Sequence, residues 1–271
     1  MNASTSDLTD RSQHFDFGKN WAGYSRLIDE KRREAAEESV KRLVPDIEGK
    51  SFLDIGSGSG LFSLAALRLG AGRVVALDID EDSVATTRKL LAGEGEKGRW
   101  TAARASVFNL SPDELGTFDV VYSWGVLHHT GDMWRAIDCA SKMVGPAGTF
   151  AFALYERTPL CGAWRVEKRA YMNARPGTQK LVRNAYVGLR RLARTVRGRG
   201  SSELERGMDM VHDAHDWLGG YPYESTSGKA VQEFMRQRGF ERVLEQPVKI
   251  HLAGLLGTGC SEYVYRRKAA A

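Results

Sequence analysis

The segment LDIGSGSG, residues 53–60, is the part of this sequence that most clearly predicts chemistry. An acid ends an apolar run there, and glycines then occupy alternate positions: Asp54, Gly56, Gly58 and Gly60. Glycine adopts backbone angles closed to other residues, and without a Cβ it lets the main chain lie against a ligand. A dinucleotide-binding fingerprint, GxGxxG, would place glycine where Leu61 stands. The loop therefore predicts a ligand-binding turn and argues against NAD or FAD.

Two adjacent histidines, His128 and His129, follow the apolar run FDVVYSWGV. Imidazole titrates near neutral pH, so either side chain is a candidate general base. The alternative interpretation is a structural histidine that caps the following turn.

A second polar cluster lies in MVHDAHDWLGGYPYE, residues 210–224. It gathers side chains suited to binding a substrate or moving a proton: His212, Asp213, His215, Asp216, Trp217, Tyr221, Tyr223 and Glu224. Of these, His215 is a further candidate base. Because the two histidines stand three apart on a stretch without strong helical signals, we expect no metal site here.

The three cysteines are far apart in sequence, and we expect them to be reduced and structural.

The elements that position these residues alternate along the chain. Residues 26–44 predict a helix that Pro45 closes. Short apolar runs then predict five strands separated by helical segments: SFLDIG, RVVALDID, RWTAARASVF, FDVVYSWGV and GTFAFALY. The helix DMWRAIDCASKMV is predicted to end at Gly145 and Pro146. Parallel strands need crossover helices, so the alternation indicates an α/β fold with a doubly wound, mostly parallel sheet.

The alternation stops between residues 156 and 228 and then resumes with one helix and two strands: GKAVQEFMRQRG, FERVLEQPV and SEYVYRR. We therefore predict a seven-stranded sheet with a helical insertion after the fifth strand. The expected division is an N-terminal arm and helix (1–45), a core (46–155 and 229–271) and an arginine-rich cap over the substrate (156–228).

Composition is that of a globular protein with one substantial core: 271 residues, of which 42% are hydrophobic and 27% charged. The polar start MNASTSDLTD and the lack of an apolar run of membrane-spanning length lead us to expect a cytoplasmic protein. A net charge of +5 does not by itself require nucleic acid or membrane as a partner.

Positive charge is concentrated between Arg157 and Arg199, and Glu167 is the only acidic residue of that segment. A helix is predicted in TQKLVRNAYVGLRRLARTV, with an apolar face formed by Leu181, Ala185, Leu189, Leu192 and Val196 and an arginine face opposite. The arginines admit three interpretations: the solvated outer face of a lid, a clamp for an anionic acceptor, or a contact with a membrane surface or nucleic acid. RGRGSS, residues 197–202, is expected to be a mobile loop.

The glycine loop and the acid Asp78, which ends VVALDID, resemble the first two motifs of class I S-adenosylmethionine-dependent methyltransferases. The resemblance extends to a bacterial subgroup similar to ubiquinone-biosynthesis methyltransferases through three further segments: HFDFGKNWAGY, WGVLHHTGDMW and HDWLGGYPYE. It implies that the loop accommodates the methionine part of the cofactor and that Asp78 accepts hydrogen bonds from the ribose hydroxyls. The alternative is that both acids merely form turns at strand ends.

By this resemblance, the cofactor S-adenosylmethionine is held by a set of residues from five segments: Trp21, Tyr24, Asp54, Gly56, Ser57, Gly58, Gly60, Asp78, Ile79, Ser106, Val107 and Trp124. The family usually has an acid near the adenine amino group, where this sequence has Ser106. Phe17, Trp21 and Tyr24 are expected to fold over the sulfonium as an aromatic lid, since aromatic faces attract cations. Simple packing of an N-terminal arm is the alternative.

The function these features imply is methyl transfer to oxygen, nitrogen or carbon of a small molecule, such as a specialised or lipid-linked metabolite. Alignment and exclusion of water suffice for this displacement, and no metal is required. The expected acceptor-binding residues come from the second polar cluster: His212, Asp216, Trp217, Tyr221 and Tyr223. One alternative is an RNA-directed methyltransferase that uses the basic insertion, although the sequence has no appended RNA module. The other is a noncatalytic partner protein that binds S-adenosylmethionine.

Overall fold

The centre of the protein is a twisted sheet whose strands lie in the order β3-β2-β1-β4-β5-β7-β6. The computed structural model describes residues 14–93, 98–196, 207, 209–250, 254, 255 and 257–269. Within these residues the strands are β1 Ser51–Ile55, β2 Arg73–Asp78, β3 Trp100–Arg104, β4 Phe118–Trp124, β5 Val144–Tyr155, β6 Phe240–Gln246 and β7 Cys260–Arg267. The first five run parallel, and β7 pairs antiparallel with both β5 and β6. The predicted fold class is confirmed.

Helices connect the strands and cover the sheet. They are α1 Phe17–Ser25, α2 Glu30–Leu43, α3 Leu61–Arg68, α4 Glu81–Leu91, α5 Pro112–Leu115, α6 Met133–Lys142, α7 Cys161–Met172, α8 Pro176–Val196, α9 Met210–Gly219 and α10 Gly228–Gln237. One boundary differs from the prediction: α6 ends at Lys142, and the expected stop residues Gly145 and Pro146 already belong to β5.

Two apolar layers sandwich the sheet. One face packs on α6 and α10 through residues such as Phe150 and Val231, and the other packs on α2 and α3 through Phe52 and Val40. Strands covered on both sides read as continuous apolar runs rather than alternating ones, and FAFAL in β5 is such a run.

The insertion after β5 contributes α7, α8 and α9. Helix α9 forms in a segment that carried no strong helical signal in the sequence. The Asp209 side chain caps it by accepting a hydrogen bond from the His212 amide, and Met210, Ala214, Trp217 and Leu218 form its buried side. Residues 1–13 of the predicted arm and residues 197–206, including the predicted loop RGRGSS, lie outside the described residues.

Helix α8 is oriented opposite to the prediction. The predicted apolar face points to solvent: Leu181, Leu189 and Leu192 are 70%, 49% and 62% exposed. The side that packs on the protein carries Val187, which is buried, and Arg190, which is partly buried. The side chain of Val196 lies outside the described residues. Amphipathicity identified the helix correctly, but not the face that packs inward.

Candidate functional site

The glycine loop turns sharply between β1 and α3, at the carboxyl edge of the sheet. Gly56, Gly58 and Gly60 have φ of 79°, 56° and 80°, a region that favours glycine. The Gly56 and Ser57 amides both donate to the Leu77 carbonyl of β2, at 2.7 and 3.0 Å. This pairing fixes the loop beside the end of the neighbouring strand.

Asp54 and Asp78, the two acids next to this loop, lie in different places relative to the cavity. Asp54 is buried beneath the loop and accepts a 2.6 Å hydrogen bond from the Ser63 hydroxyl. Asp78 lies at the end of β2, where its Oδ2 accepts from the Gly58 amide at 2.9 Å. Burial raises the pKa of Asp54 to about 7 and that of Asp78 to about 6. Asp54 therefore supports the loop, and Asp78 presents a carboxylate to the space above it.

That space is a cavity of about 940 Å³ at the carboxyl edge of the parallel strands. Eleven of the predicted site residues line it: Trp21, Gly56, Ser57, Gly58, Asp78, Ile79, Val107, Trp124, His129, Asp216 and Trp217. Nine predicted residues are not among the described residues that line it: Tyr24, Asp54, Gly60, Ser106, His128, His212, His215, Tyr221 and Tyr223. The structure thus brings residues from both predicted clusters to one cavity.

One end of the cavity is bounded by the ends of β2 and β3. Ile79, Ala105 and Val107 give it apolar walls beside the Asp78 carboxylate. Ser106, for which the sequence left binding of adenine by the hydroxyl or by the backbone open, begins the short turn Val107–Asn109 by accepting a hydrogen bond from the Phe108 amide.

Helix α1 closes the cavity above the glycine loop. A Cβ at Gly58 would lie 3.1 Å from Cε2 of Trp21, so the indole lies directly on this glycine. The neighbouring Asn20 amide donates to Oδ1 of Asp216 at 2.6 Å and thereby connects α1 to α9. Tyr24, expected in the lid, is buried and donates to the Gly207 carbonyl.

The two adjacent histidines point in different directions. His129 lines the cavity, its Nδ1 donates to the Pro222 carbonyl at 2.8 Å, and its ring centroid lies 5.2 Å from that of Phe17. Burial lowers the pKa of His129 to about 3. His128 is fully buried, packs on Tyr155 with ring centroids 3.9 Å apart, and has a pKa lowered well below its ordinary value by burial.

The two histidines of α9 lie away from the cavity. Nδ1 of His212 pairs with the Asp209 carboxylate at 2.5 Å, and Nδ1 of His215 forms a 2.7 Å hydrogen bond with the Tyr171 hydroxyl. Burial lowers the pKa of His215 to about 4. No group of three or more potential metal ligands occurs within the described part of the chain.

The other end of the cavity is formed by α8, α9 and the ends of β5 and β7, and sequence reasoning missed most of it. Tyr155, Tyr186, Arg190 and Glu262 contribute to its walls. Tyr155 ends a parallel strand, so the rule that ligands bind at carboxyl ends would have indicated it. The others come from the insertion and from an antiparallel strand, where no comparable sequence signal exists.

Charge within this end is largely paired. Arg42 contacts Glu262 at 2.7 Å, and Arg190 contacts Asp213 at 2.8 Å. Asp216 instead accepts from the neutral Asn20 amide, and burial raises its pKa well above the ordinary value. Arg42 and Arg190 are thus held by carboxylates, which does not favour the interpretation of Arg190 as a clamp for an anionic acceptor.

Beneath this end lies Lys168, a fully buried lysine of α7. Its ammonium donates to the Trp217 carbonyl and lies 3.6 Å from the centroid of the Trp217 ring. Burial lowers its pKa from the ordinary value. The lysine fixes Trp217, which itself lines the cavity.

The strand order, the acid–glycine loop and the acid ending the second strand together define a Rossmann-like class I methyltransferase domain. The chain belongs to a family of methyltransferase domains, whose model matches residues 28–246. The predicted family and S-adenosylmethionine as the cofactor of this domain are thereby confirmed.

Two curated relatives match parts of the chain. A ubiquinone biosynthesis O-methyltransferase of Xanthomonas oryzae pv. oryzae is 31% identical over 127 residues, 47% of this chain and 52% of the relative. A ribosomal protein L11 methyltransferase of Gloeobacter violaceus is 48% identical over 68 residues, 25% of this chain and 21% of the relative. The chain therefore spans about half and about a fifth of these relatives' lengths.

The fold is similar to that of magnesium protoporphyrin IX methyltransferase from Synechocystis PCC 6803, solved with bound SAH. The TM-score is 0.54 at 14% identity, covering 87% of this chain and 83% of that chain. This likeness concerns the fold, and the acceptor has to be inferred from the cavity of this chain.

The residues present fit the cofactor. Asp78 is a buried carboxylate that faces the cavity, and a carboxylate offers acceptors to adjacent ribose hydroxyls. The apolar wall beside it suits an adenine ring, and the glycine loop leaves main chain exposed to the ligand.

Proposed function

We propose that this protein catalyses methyl transfer from S-adenosylmethionine to a small-molecule acceptor, such as a specialised or lipid-linked metabolite. One observation carries the proposal: a single cavity extends from Asp78 and the glycine loop to Tyr155, Asp216 and Trp217. Its first part suits a nucleoside, and its second part leaves room for an acceptor beneath the insertion helices. The RNA-directed alternative rests on the basic insertion.

S-Adenosylmethionine supplies a methyl group attached to a positively charged sulfur. In the proposed arrangement Asp78 holds the ribose, while Gly56 and Gly58 allow the main chain to lie against the methionine part. Trp21 covers the loop, excludes water and places an aromatic face near the positive charge. Asp54 supports the loop from below through its hydrogen bond with Ser63.

On the acceptor side, the proposal assigns different roles to two polar residues of the cavity. His129 donates through Nδ1 to the Pro222 carbonyl, and in the proposal it positions the cavity wall on this side. A pKa of about 3 makes this imidazole a weak base. Asp216 is the better proton acceptor, because burial raises the pKa of its carboxyl well above the ordinary value and so makes the carboxylate more basic. Tyr155 and Trp217 supply the apolar surface for the acceptor's body.

The test is a pair of asparagine variants at two acids. We expect Asp78→Asn to weaken S-adenosylhomocysteine binding on the order of tenfold or more, because a charged acceptor of two hydroxyl hydrogen bonds is lost. Isothermal calorimetry measures this, with Asp82→Asn, at an exposed position of α4, as the matched control. Methyl transfer to a panel of small molecules, RNA and protein is then assayed in the same preparations.

Equal affinity of Asp78→Asn and the control would overturn the assignment of the nucleoside site. If transfer occurred only to RNA or to protein, the small-molecule part of the proposal would fail while the cofactor site would stand.

A further inference from the structure

The outer face of helix α8 is an apolar stripe exposed to solvent. Leu181, Leu189 and Leu192 are largely exposed, and Val182 and Ala185 are also exposed on this side. The opposite side of the helix is occupied, since Val187 packs on Met210 and Ala214 of α9. Three exposed leucines on one helix face are unusual for a surface in contact with water alone.

The insertion that carries this stripe also exposes many cations. The exposed cations on α7, α8 and the turn between them are Arg165, Arg169, Arg175, Lys180 and Arg191. The sequence from 157 to 199 contains one acid, Glu167, which is only partly exposed. The described part of the insertion therefore exposes apolar side chains together with an excess of positive charge.

This combination selects among possible partners. A nucleic acid would engage the cations and leave the leucines in water. A second copy of the chain, docked on the same surface around a two-fold axis, would place cations opposite cations. An anionic lipid bilayer satisfies both features, because its acyl region accepts the leucines and its headgroups attract the arginines and lysine.

We propose that the outer face of α8 docks on the surface of an anionic lipid bilayer. The stripe from Leu181 to Leu192 is about 17 Å long at the helical rise, enough to lie flat in the headgroup region. None of the helices in the described ranges is long and apolar enough to cross a membrane, so the contact is peripheral.

The docking surface is connected to the cavity through the same helix. Tyr186, Arg190 and Ala193, on the inner side of α8, line the cavity, while the leucines lie on its outer side. A bilayer bound to α8 would thus lie directly behind one cavity wall. Docking does not depend on methyl transfer and is testable without an acceptor.

The experiment is co-sedimentation of the full chain with vesicles of phosphatidylcholine alone or with about a third phosphatidylglycerol. We expect binding to the anionic vesicles only. Leu189→Ser/Leu192→Ser should lower the partition coefficient on the order of tenfold. Leu27→Ser/Val243→Ser removes two exposed apolar residues elsewhere and should leave it unchanged.

A second pair of variants tests the charges. Lys180→Gln/Arg191→Gln should also reduce binding, about fivefold for each cation, whereas Lys41→Gln/Lys89→Gln should not. S-Adenosylhomocysteine affinity, measured by calorimetry, should be the same in all four variants, which verifies that they fold.

Three outcomes would overturn the proposal. The first is equal binding to neutral and anionic vesicles, and the second is equal loss of binding in the leucine variant and its control. The third is a dimer, detected by light scattering, that dissociates in Leu189→Ser/Leu192→Ser, because the stripe would then be an interface between copies. Failure of the nucleoside site would appear separately, as loss of S-adenosylhomocysteine binding in the unmodified protein.

Discussion

At the scale of single residues, the cavity is organised by buried carboxylates in different surroundings. Asp54 and Asp78 lie on opposite sides of the glycine loop, and both have pKa values raised by burial. Asp78 also accepts hydrogen bonds from the Gly58 and Asp80 amides, which favour its charged form. Its pKa of about 6 therefore places its titration within an accessible pH range.

This pKa predicts how cofactor affinity depends on pH. The charged form of Asp78 accepts two hydrogen bonds from ribose hydroxyls, so affinity should be highest and constant well above pH 6. Below about pH 6 the carboxyl is protonated in the free protein, and the affinity should fall by up to tenfold per pH unit. Calorimetric titration of S-adenosylhomocysteine between about pH 5 and 8 measures this. Asp78→Asn should lack this decline, and a flat profile in the unmodified protein would contradict the role of the carboxylate.

Asp216 provides the prediction for the acceptor side. Asp216→Asn keeps an oxygen to accept the hydrogen bond from Asn20 but cannot take a proton. With a hydroxyl or ammonium acceptor, we expect kcat to fall about 10²- to 10⁴-fold and the affinity for S-adenosylhomocysteine to be retained. Steady-state kinetics and calorimetry measure the two quantities.

Asp213→Asn is the matched control for this variant, because Asp213 lies one turn earlier on α9 and is ion-paired with Arg190. The proposed role predicts a much smaller change in kcat for it. A normal kcat in Asp216→Asn would assign proton removal to another group or to solvent.

At the scale of elements, α1 has contacts at both ends of the cavity, and we propose that it acts as a cover. Trp21 lies on the glycine loop, and Asn20 is bonded to Asp216 of α9. The predicted aromatic lid thus corresponds to one short helix in which Trp21 lines the cavity and Tyr24 is buried beneath it.

This arrangement predicts the effect of opening the cover. Trp21→Ala should weaken S-adenosylhomocysteine binding about tenfold, since the site loses an apolar wall and admits water. Lys19→Ala, at an exposed position of the same helix, is the control. If fluorescence or calorimetric titration gave the same dissociation constant for both variants, the helix would be a packing element and not a cover.

Helix α9 shows how an element was missed. Met210, Ala214, Trp217 and Leu218 follow the i, i+4, i+7, i+8 spacing of a buried helix face, and Asp209 precedes them as a cap. The histidines, aspartates and glycines of the segment obscured this signal. In the helix the residues of this segment point in different directions. Asp216 and Trp217 line the cavity, whereas His212 and His215 lie away from it.

At the scale of the whole molecule, one sheet gathers residues that are far apart in the sequence. Loops after β1, β2, β4 and β5 meet at the same edge because these strands are parallel. The insertion returns over that edge and adds Arg190, Asp216 and Trp217, while α1 closes it from the other side. The division into arm, core and cap, and the cytoplasmic location, stay predictions.

The amino-acid sequence by itself determined the strands, the glycine loop and the two acids, because local periodicity, glycine backbone freedom and strand ends are properties of short segments. Tertiary structure alone decided which member of each pair faces the cavity. His129 faces it and His128 does not, and α8 turns Arg190 inward and its leucines outward. The physical reason is that a periodic pattern fixes two faces of a helix or turn, whereas only the packing of distant elements, such as α9 against α8, determines which face is covered.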